Sequence, residues 1–270
     1  MKHVRGFMFD LDGTLVLGDR MGAGAYDVLP GAIETLEALD DRGAPFLILT
    51  NGSASPPAHI AAKLRQVGLP IADAQMHTPS TVAADWLKTS GAERVLVLGT
   101  PGVGEPLRAL GIQTFVPGDV CDKIDAVYVG WHPDCVMRDI EAAANAIWAG
   151  AAFTVASNVP FFATKAGKSI GYSRAIAAAV ESLTNTPPIV LGKPSQAAMS
   201  FVADKLQLPL SDIAVVGDDA RLENLMAREA GAFSIGVSTG VTSRAEWDAM
   251  PQAQTAHLVL DRLDELLQHL

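Results

Sequence analysis

Cysteine is nearly absent. The 270-residue chain holds two, Cys121 and Cys135, too few for a disulfide framework, and both read as thiols in a reducing compartment. Positive charge is also scarce: 20 Lys and Arg stand against 30 Asp and Glu, a formal net charge of -10. That balance argues against nucleic acid as a partner, since such a protein shows a basic face. It leaves room for a phosphorylated ligand, because a metal ion and one or two lysines can set the local field against the global sign. No apolar run approaches the roughly 20 residues that span a bilayer, and the N-terminus lacks the charged lead, long apolar region and cleavage site of a signal peptide. The expected address is the cytoplasm, with no membrane partner. Aromatics make up 6% of the residues and are scattered as core positions, and there are no internal repeats or low-complexity segments.

What is present is a hydrophobic chain, 49% apolar, with room for a sizeable core. Its sharpest feature is Phe7-Met8-Phe9-Asp10-Leu11-Asp12-Gly13-Thr14. An apolar run with the look of a buried strand ends in two aspartates one residue apart. Side chains at i and i+2 of a strand point the same way, so Asp10 and Asp12 are aimed into one small volume. Two such carboxylates stay ionised together only if a cation or strong donors offset them. The pair asks for a divalent metal and suggests one carboxylate as nucleophile and the other as acid/base.

Short apolar runs alternate with helical stretches: strands over residues 4–9, 45–49, 189–191, 213–216 and 233–237, helices over 31–42 and 59–67. This pattern predicts an α/β fold, a doubly wound and mostly parallel Rossmann-like sheet covered on both faces. Residues 78–188 carry their own rhythm, with strands over 95–98, 126–129 and 153–155, and Pro/Thr/Ser-rich junctions flank them. They are expected to form a smaller α/β cap domain inserted into a core made of 1–77 and 189–270. Ligands of such sheets sit at the carboxyl ends of the strands, and three strand ends bring chemistry to one edge. Asp10 and Asp12 form the first.

Thr50-Asn51-Gly52-Ser53 follows the second strand. It suits both a helix cap and a phosphate cradle of a hydroxyl and backbone N–H groups. Asp218 and Asp219, with Glu223 further on, follow Val215-Val216-Gly217. Helix capping by Asp accounts for part of this cluster, but its oxygens also suit a hard cation, with Asp218 as ligand and Asp219 or Glu223 in support. Lys193, between Pro188 and Pro194, lies on the same edge. A lone lysine after a strand is ordinarily a surface charge, yet here it is placed to neutralise phosphate oxygens and the crowded acids.

These four segments, in this order, resemble the haloacid dehalogenase superfamily, and the long insertion resembles the larger cap of its NagD-like, p-nitrophenylphosphatase-type branch. The resemblance implies a magnesium-dependent phosphatase. Asp10 would attack phosphorus and form an aspartyl-phosphate. Asp12 would protonate the leaving oxygen and then deprotonate water. Asp10, the Asp12 carbonyl and Asp218 would hold Mg²⁺, while Thr50, Asn51, Gly52 and Lys193 would grip the phosphoryl group. Members that cleave carbon–halogen bonds lack the second aspartate, so Asp12 favours phosphoryl transfer.

The chain departs from its relatives at Glu223, where they carry Asp, and in extra residues 21–28. It departs again at Ser157-Asn158-Val159-Pro160, where they often read Thr-Asn-Pro-Asp, and near His132, where they often place Asp. His132 and Asn158 are candidate cap contacts to substrate, while Lys165 and Lys168 read as solvated. The expected partner is a small phosphorylated metabolite. A phosphorylated-ligand sensor without turnover and a phosphotransferase or mutase are the alternatives, and association into a homo-oligomer is left open.

Overall fold

A computed structural model describes residues 1, 3–18, 26–164 and 167–270, the side chains from 162 to 168 excepted. In chain order the strands are β1 (Gly6–Phe9), β2 (Val16–Gly18), β3 (Tyr26–Val28), β4 (Phe46–Leu49), β5 (Met76–His77), β6 (Arg94–Leu98), β7 (Gln113–Phe115), β8 (Ala126–Val129), β9 (Ala152–Val155), β10 (Phe161–Thr164), β11 (Gly167–Ile170), β12 (Ile189–Val190), β13 (Ile213–Gly217), β14 (Phe233–Val237) and β15 (Leu258–Leu260). The α-helices are α1 (Ala32–Asp41), α2 (Pro57–Gln66), α3 (Pro79–Thr89), α4 (Pro101–Ala109), α5 (Met137–Trp148), α6 (Tyr172–Thr184), α7 (Gln196–Leu206), α8 (Leu225–Glu229) and α9 (Arg244–Ala249).

Six strands form one parallel sheet in the order β15-β14-β13-β1-β4-β5. The continuous apolar runs are explained by this position, since a central parallel strand is buried on both faces. The period of two sorts its side chains. Met8, Leu47, Leu49 and Val215 point into one apolar cluster, while Phe7, Phe9, Phe46, Ile48, Ala214 and Val216 point into another on the opposite face. Met8 and Phe9 are fully buried, and each such side chain contributes roughly 1.5–3 kcal/mol relative to exposure.

A second parallel sheet, in the order β12-β9-β8-β6-β7, lies between β5 and β13 in sequence. The first cluster continues into it. Val95, Val97, Ala126 and Tyr128 join Met8 and Leu47 through apolar residues of α3, α4 and α7. The other face of the second sheet has its own cluster, Leu96, Leu98, Val127, Val129 and Phe153, covered by α5 and α6. The two sheets therefore sandwich a shared apolar layer.

Four features differ from the sequence reading. Ile189–Val190, expected to open the second half of the core, pairs instead with Thr154 and Val155 of β9 and edges the second sheet. The helix that the Asp218-Asp219 pair was expected to cap opens as a π-helical turn, Ala220–Asn224, before α8. Two antiparallel hairpins, β2–β3 and β10–β11, add strands that no long apolar run announces. The short strands β7 and β15 are likewise unannounced. No described helix is long and apolar enough to cross a membrane.

Candidate active site

β1 carries Asp10 to the carboxyl edge of the main sheet, where its N–H still closes the ladder on the Val216 carbonyl at 2.9 Å. The carboxyl group is buried. Its Oδ1 accepts from Lys193 Nζ, and the Thr14 hydroxyl approaches Oδ2 at 3.5 Å. The same ammonium donates to Glu223 Oε1 at 2.7 Å. Lys193 is only 1% exposed, an enclosed cation set among the acids it was expected to neutralise. Burial works against its charge, but Asp10 and then Glu223 outweigh that and hold its pKa above the ordinary lysine value.

The turn after Asp10 is tight. Gly13 adopts φ +89, and a Cβ there would lie 2.4 Å from Asp218 Oδ2, so glycine is required both by conformation and by space. Asp218 itself is buried at the end of β13. Val241 N–H donates to its Oδ2 at 2.6 Å, and Thr242 N–H donates to its main-chain oxygen at 3.0 Å.

Asp12 opens on the cleft beside Leu11, Tyr26, Thr50 and Ile60. One side of it meets solvent, yet the surrounding walls strip it of water. This, with the Asp10 charge, pushes its carboxyl up to about 7, against the pull of Lys193. Burial, then Asp10 and Glu223, push Asp218 up to about 8. Burial likewise lifts Glu223 to about 7, with Lys193 opposing and Asp10 adding to the rise. Four carboxyl groups face one ammonium. This surplus of hard oxygen donors and negative charge is what a small divalent cation neutralises, so the residues present fit one.

The other candidates divide. The Thr50 hydroxyl accepts the Gly52 N–H at 3.0 Å, shaping the turn that lines the cleft. Asn51 differs from expectation: its amide donates to the Lys193 carbonyl at 2.8 Å and accepts the Lys193 N–H at 2.9 Å. That side chain is committed to holding the lysine's backbone, which leaves Asn51 its second amide hydrogen and its main-chain N–H as donors. Of the two supporting acids, Glu223 reaches Lys193, whereas the Asp219 carboxylate caps the π-turn by accepting the Arg221 N–H at 2.8 Å.

Residues 7–113 match the model of the haloacid dehalogenase-like hydrolases, and residues 190–266 match a second, HAD-hydrolase-like model. The chain belongs to the haloacid dehalogenase-like hydrolases. The hydrolase is 27% identical over 256 residues to an acid sugar phosphatase of Staphylococcus haemolyticus, covering 94% of this chain and 93% of that one. It superposes with a TM-score of 0.83 on a glycerol phosphate phosphatase of Mycobacterium tuberculosis solved with magnesium, at 27% identity, covering 98% of this chain and 76% of that one. It shares the fold of NagD from Escherichia coli with a TM-score of 0.84 at 23% identity, covering 97% of this chain and 98% of that one.

The insertion of the hydrolase reaches the cleft through main-chain contacts that no sequence motif announces. Trp131 N–H donates to the Ser53 hydroxyl at 3.2 Å, and the Thr100 hydroxyl donates to the Ala54 carbonyl at 2.9 Å. Tyr26 was also missed. It lines the cleft beside Asp12, and burial followed by the Asp12 charge pushes its phenol up to about 12. The two candidate substrate contacts are engaged elsewhere: His132 Nε2 lies 3.3 Å from Asp139 Oδ2, and Asn158 Oδ1 accepts from Arg174. Residues 19–25, which hold most of the extended loop, lie outside the described residues, as do Lys165 and the Lys168 side chain.

Proposed function

We propose that this hydrolase cleaves small phosphomonoesters through an aspartyl-phosphate on Asp10, with Asp12 moving the proton. The observation that carries this reading is the division of labour between the two acids. Asp10 is buried at the end of β1 against the Lys193 ammonium, placed as the nucleophile. Asp12 is held at about 7, between the acid and the base it must be in turn.

An Asp10 carboxylate oxygen attacks phosphorus while the ester oxygen departs with the Asp12 proton. The Asp12 carboxylate then takes a proton from water as that water attacks the same phosphorus, releasing inorganic phosphate and restoring Asp10. Lys193, the Thr50 hydroxyl and the Asn51 main-chain N–H receive the phosphoryl oxygens, while the Gly52 N–H holds the Thr50 hydroxyl in place. Asp10, the Asp12 carbonyl and Asp218 would hold a magnesium ion, which supplies positive charge to the phosphoryl oxygens. The insertion, anchored on Ser53 and Ala54, covers the mouth and limits substrates to small molecules.

The test is turnover of p-nitrophenyl phosphate with Mg²⁺, followed by comparison of kcat/KM over sugar phosphates, glycerol phosphate and nucleotides. Asp10→Asn should abolish turnover, and Asp12→Asn should lower kcat by about 10²–10⁴-fold. Full activity in Asp10→Asn would remove the covalent route.

A further inference from the structure

The insertion carries a second constellation of ligating atoms, far from the acids in chemistry. β8 runs into Gly130 and Trp131, and a turn follows in which Cys135 N–H donates to the His132 carbonyl at 3.4 Å. A turn closed in this way brings the His132 and Cys135 side chains to one side. α5 begins just after, and Asp139 in its first turn accepts the Val136 N–H on Oδ2 at 2.9 Å. His132 Nε2 approaches the same oxygen at 3.3 Å. The donor atoms of His132, Cys135 and Asp139 all lie within 4.8 Å of one another.

We propose that His132, Cys135 and Asp139 form a site for a borderline transition-metal dication of the Zn²⁺ class, separate from the magnesium chemistry of the main cleft. The ligand types argue for the class: a thiolate and an imidazole with one carboxylate select Zn²⁺-like ions over Mg²⁺, which takes oxygen alone. The spacing argues for a chelate, because two and three intervening residues let one turn and one helix start supply all three donors. The distances argue for the fit. A tetrahedral ion bonded at about 2.0–2.1 Å to nitrogen and oxygen keeps those donors about 3.3–3.4 Å apart, which is the separation His132 and Asp139 already have. Cys135 is half-buried, its thiol directed to the Val136 carbonyl at 3.9 Å and its sulfur within 4.8 Å of both other donor atoms.

Asp139 is 6% exposed, and a buried carboxylate calls for a cation. The exposed Arg138 reaches it only at 3.8 Å through Nε. A fourth position opens on a cleft of about 290 Å³ lined by Ile140, Ile170, Tyr172 and Ile176, leaving space for water. On binding, the Cys135 thiol gives its proton to solvent and becomes the thiolate ligand.

Cobalt(II) reads this site directly, because a thiolate ligand gives a near-ultraviolet charge-transfer band that an all-oxygen site does not. Titration of the full-length Cys121→Ser protein with Co²⁺, in the presence of Mg²⁺, should develop this band to one equivalent, and Zn²⁺ should displace it. Cys135→Ser should abolish the band, and His132→Ala and Asp139→Asn should weaken Co²⁺ binding at least tenfold. Cys135→Ser keeps the size of the side chain, so its circular dichroism and melting temperature serve as the folding control. Absence of the band in the parent protein, or its persistence in Cys135→Ser, overturns the proposal.

Discussion

At the scale of single residues, the site depends on groups whose charge is set by what encloses them. Lys193 stays charged although burial opposes its charge, because Asp10 and Glu223 outweigh that burial. A second enclosed group shows the opposite outcome. His77 ends β5 with its ring edge-on to Phe201, centroids 5.0 Å apart. Burial first, then Lys205, lower its pKa from 6.5 to about 4. The unfolded chain therefore takes up a proton on His77 between those values and the folded chain does not. The stability tied to neutral His77 is complete above 6.5 and drains away as pH falls toward 4, on the order of 3 kcal/mol in all. Asp12, Asp218 and Glu223 run the other way, because their raised folded values favour the native state at low pH. Comparison with a variant isolates the histidine: His77→Phe, which keeps a ring against Phe201, should flatten the urea-derived stability between pH 6.5 and 4.5 relative to the parent. An unchanged slope would mean that His77 titrates normally.

At the scale of elements, turns do as much as strands. Gly13 lets the chain double back beneath Asp218, and Gly13→Ala meets both a left-handed conformation and the Asp218 carboxylate. The expected result is a loss of about 1–2 kcal/mol from conformation alone, with a rise in the Mg²⁺ concentration needed for half-maximal turnover as Asp218 shifts. Gly43 is the control, since it has φ +62 but no atom within 4 Å of a would-be Cβ; Gly43→Ala should cost stability and leave the Mg²⁺ requirement alone. Denaturant unfolding and metal titration of both variants check this.

The same distinction explains what could be read from the chain. β1, β4 and β13 were legible because a buried parallel strand is apolar at every position, and their polar ends marked the edge where Asp10, Thr50 and Asp218 gather. Gln113-Thr114-Phe115 carries no such signal, being a half-exposed edge strand. Ile189–Val190 was legible as a strand but not as to its sheet, because an apolar run does not name its partner. The Asn51 amide was legible as polar and strand-terminal, but its bond to a lysine 142 positions away is a fact of tertiary geometry.

At the scale of the molecule, the surplus of carboxyl groups at one point makes folding and cation binding one equilibrium. Mg²⁺ at a hundred times its dissociation constant should stabilise the native state by about 2.7 kcal/mol, so the melting temperature should rise with Mg²⁺ and fall with EDTA. Asp218→Asn should blunt that response while relieving repulsion among the acids. A melting temperature indifferent to Mg²⁺ would separate the acid cluster from cation binding. β12 has its own bearing on how this hydrolase can be rebuilt. Its two residues return the chain to β9 before Lys193 enters the cleft. Exchange of the insertion with that of a relative must therefore place its downstream seam after Val190: a chimera joined at 188 would leave the donor sheet with a foreign border strand, while one joined at 191 would transplant it whole.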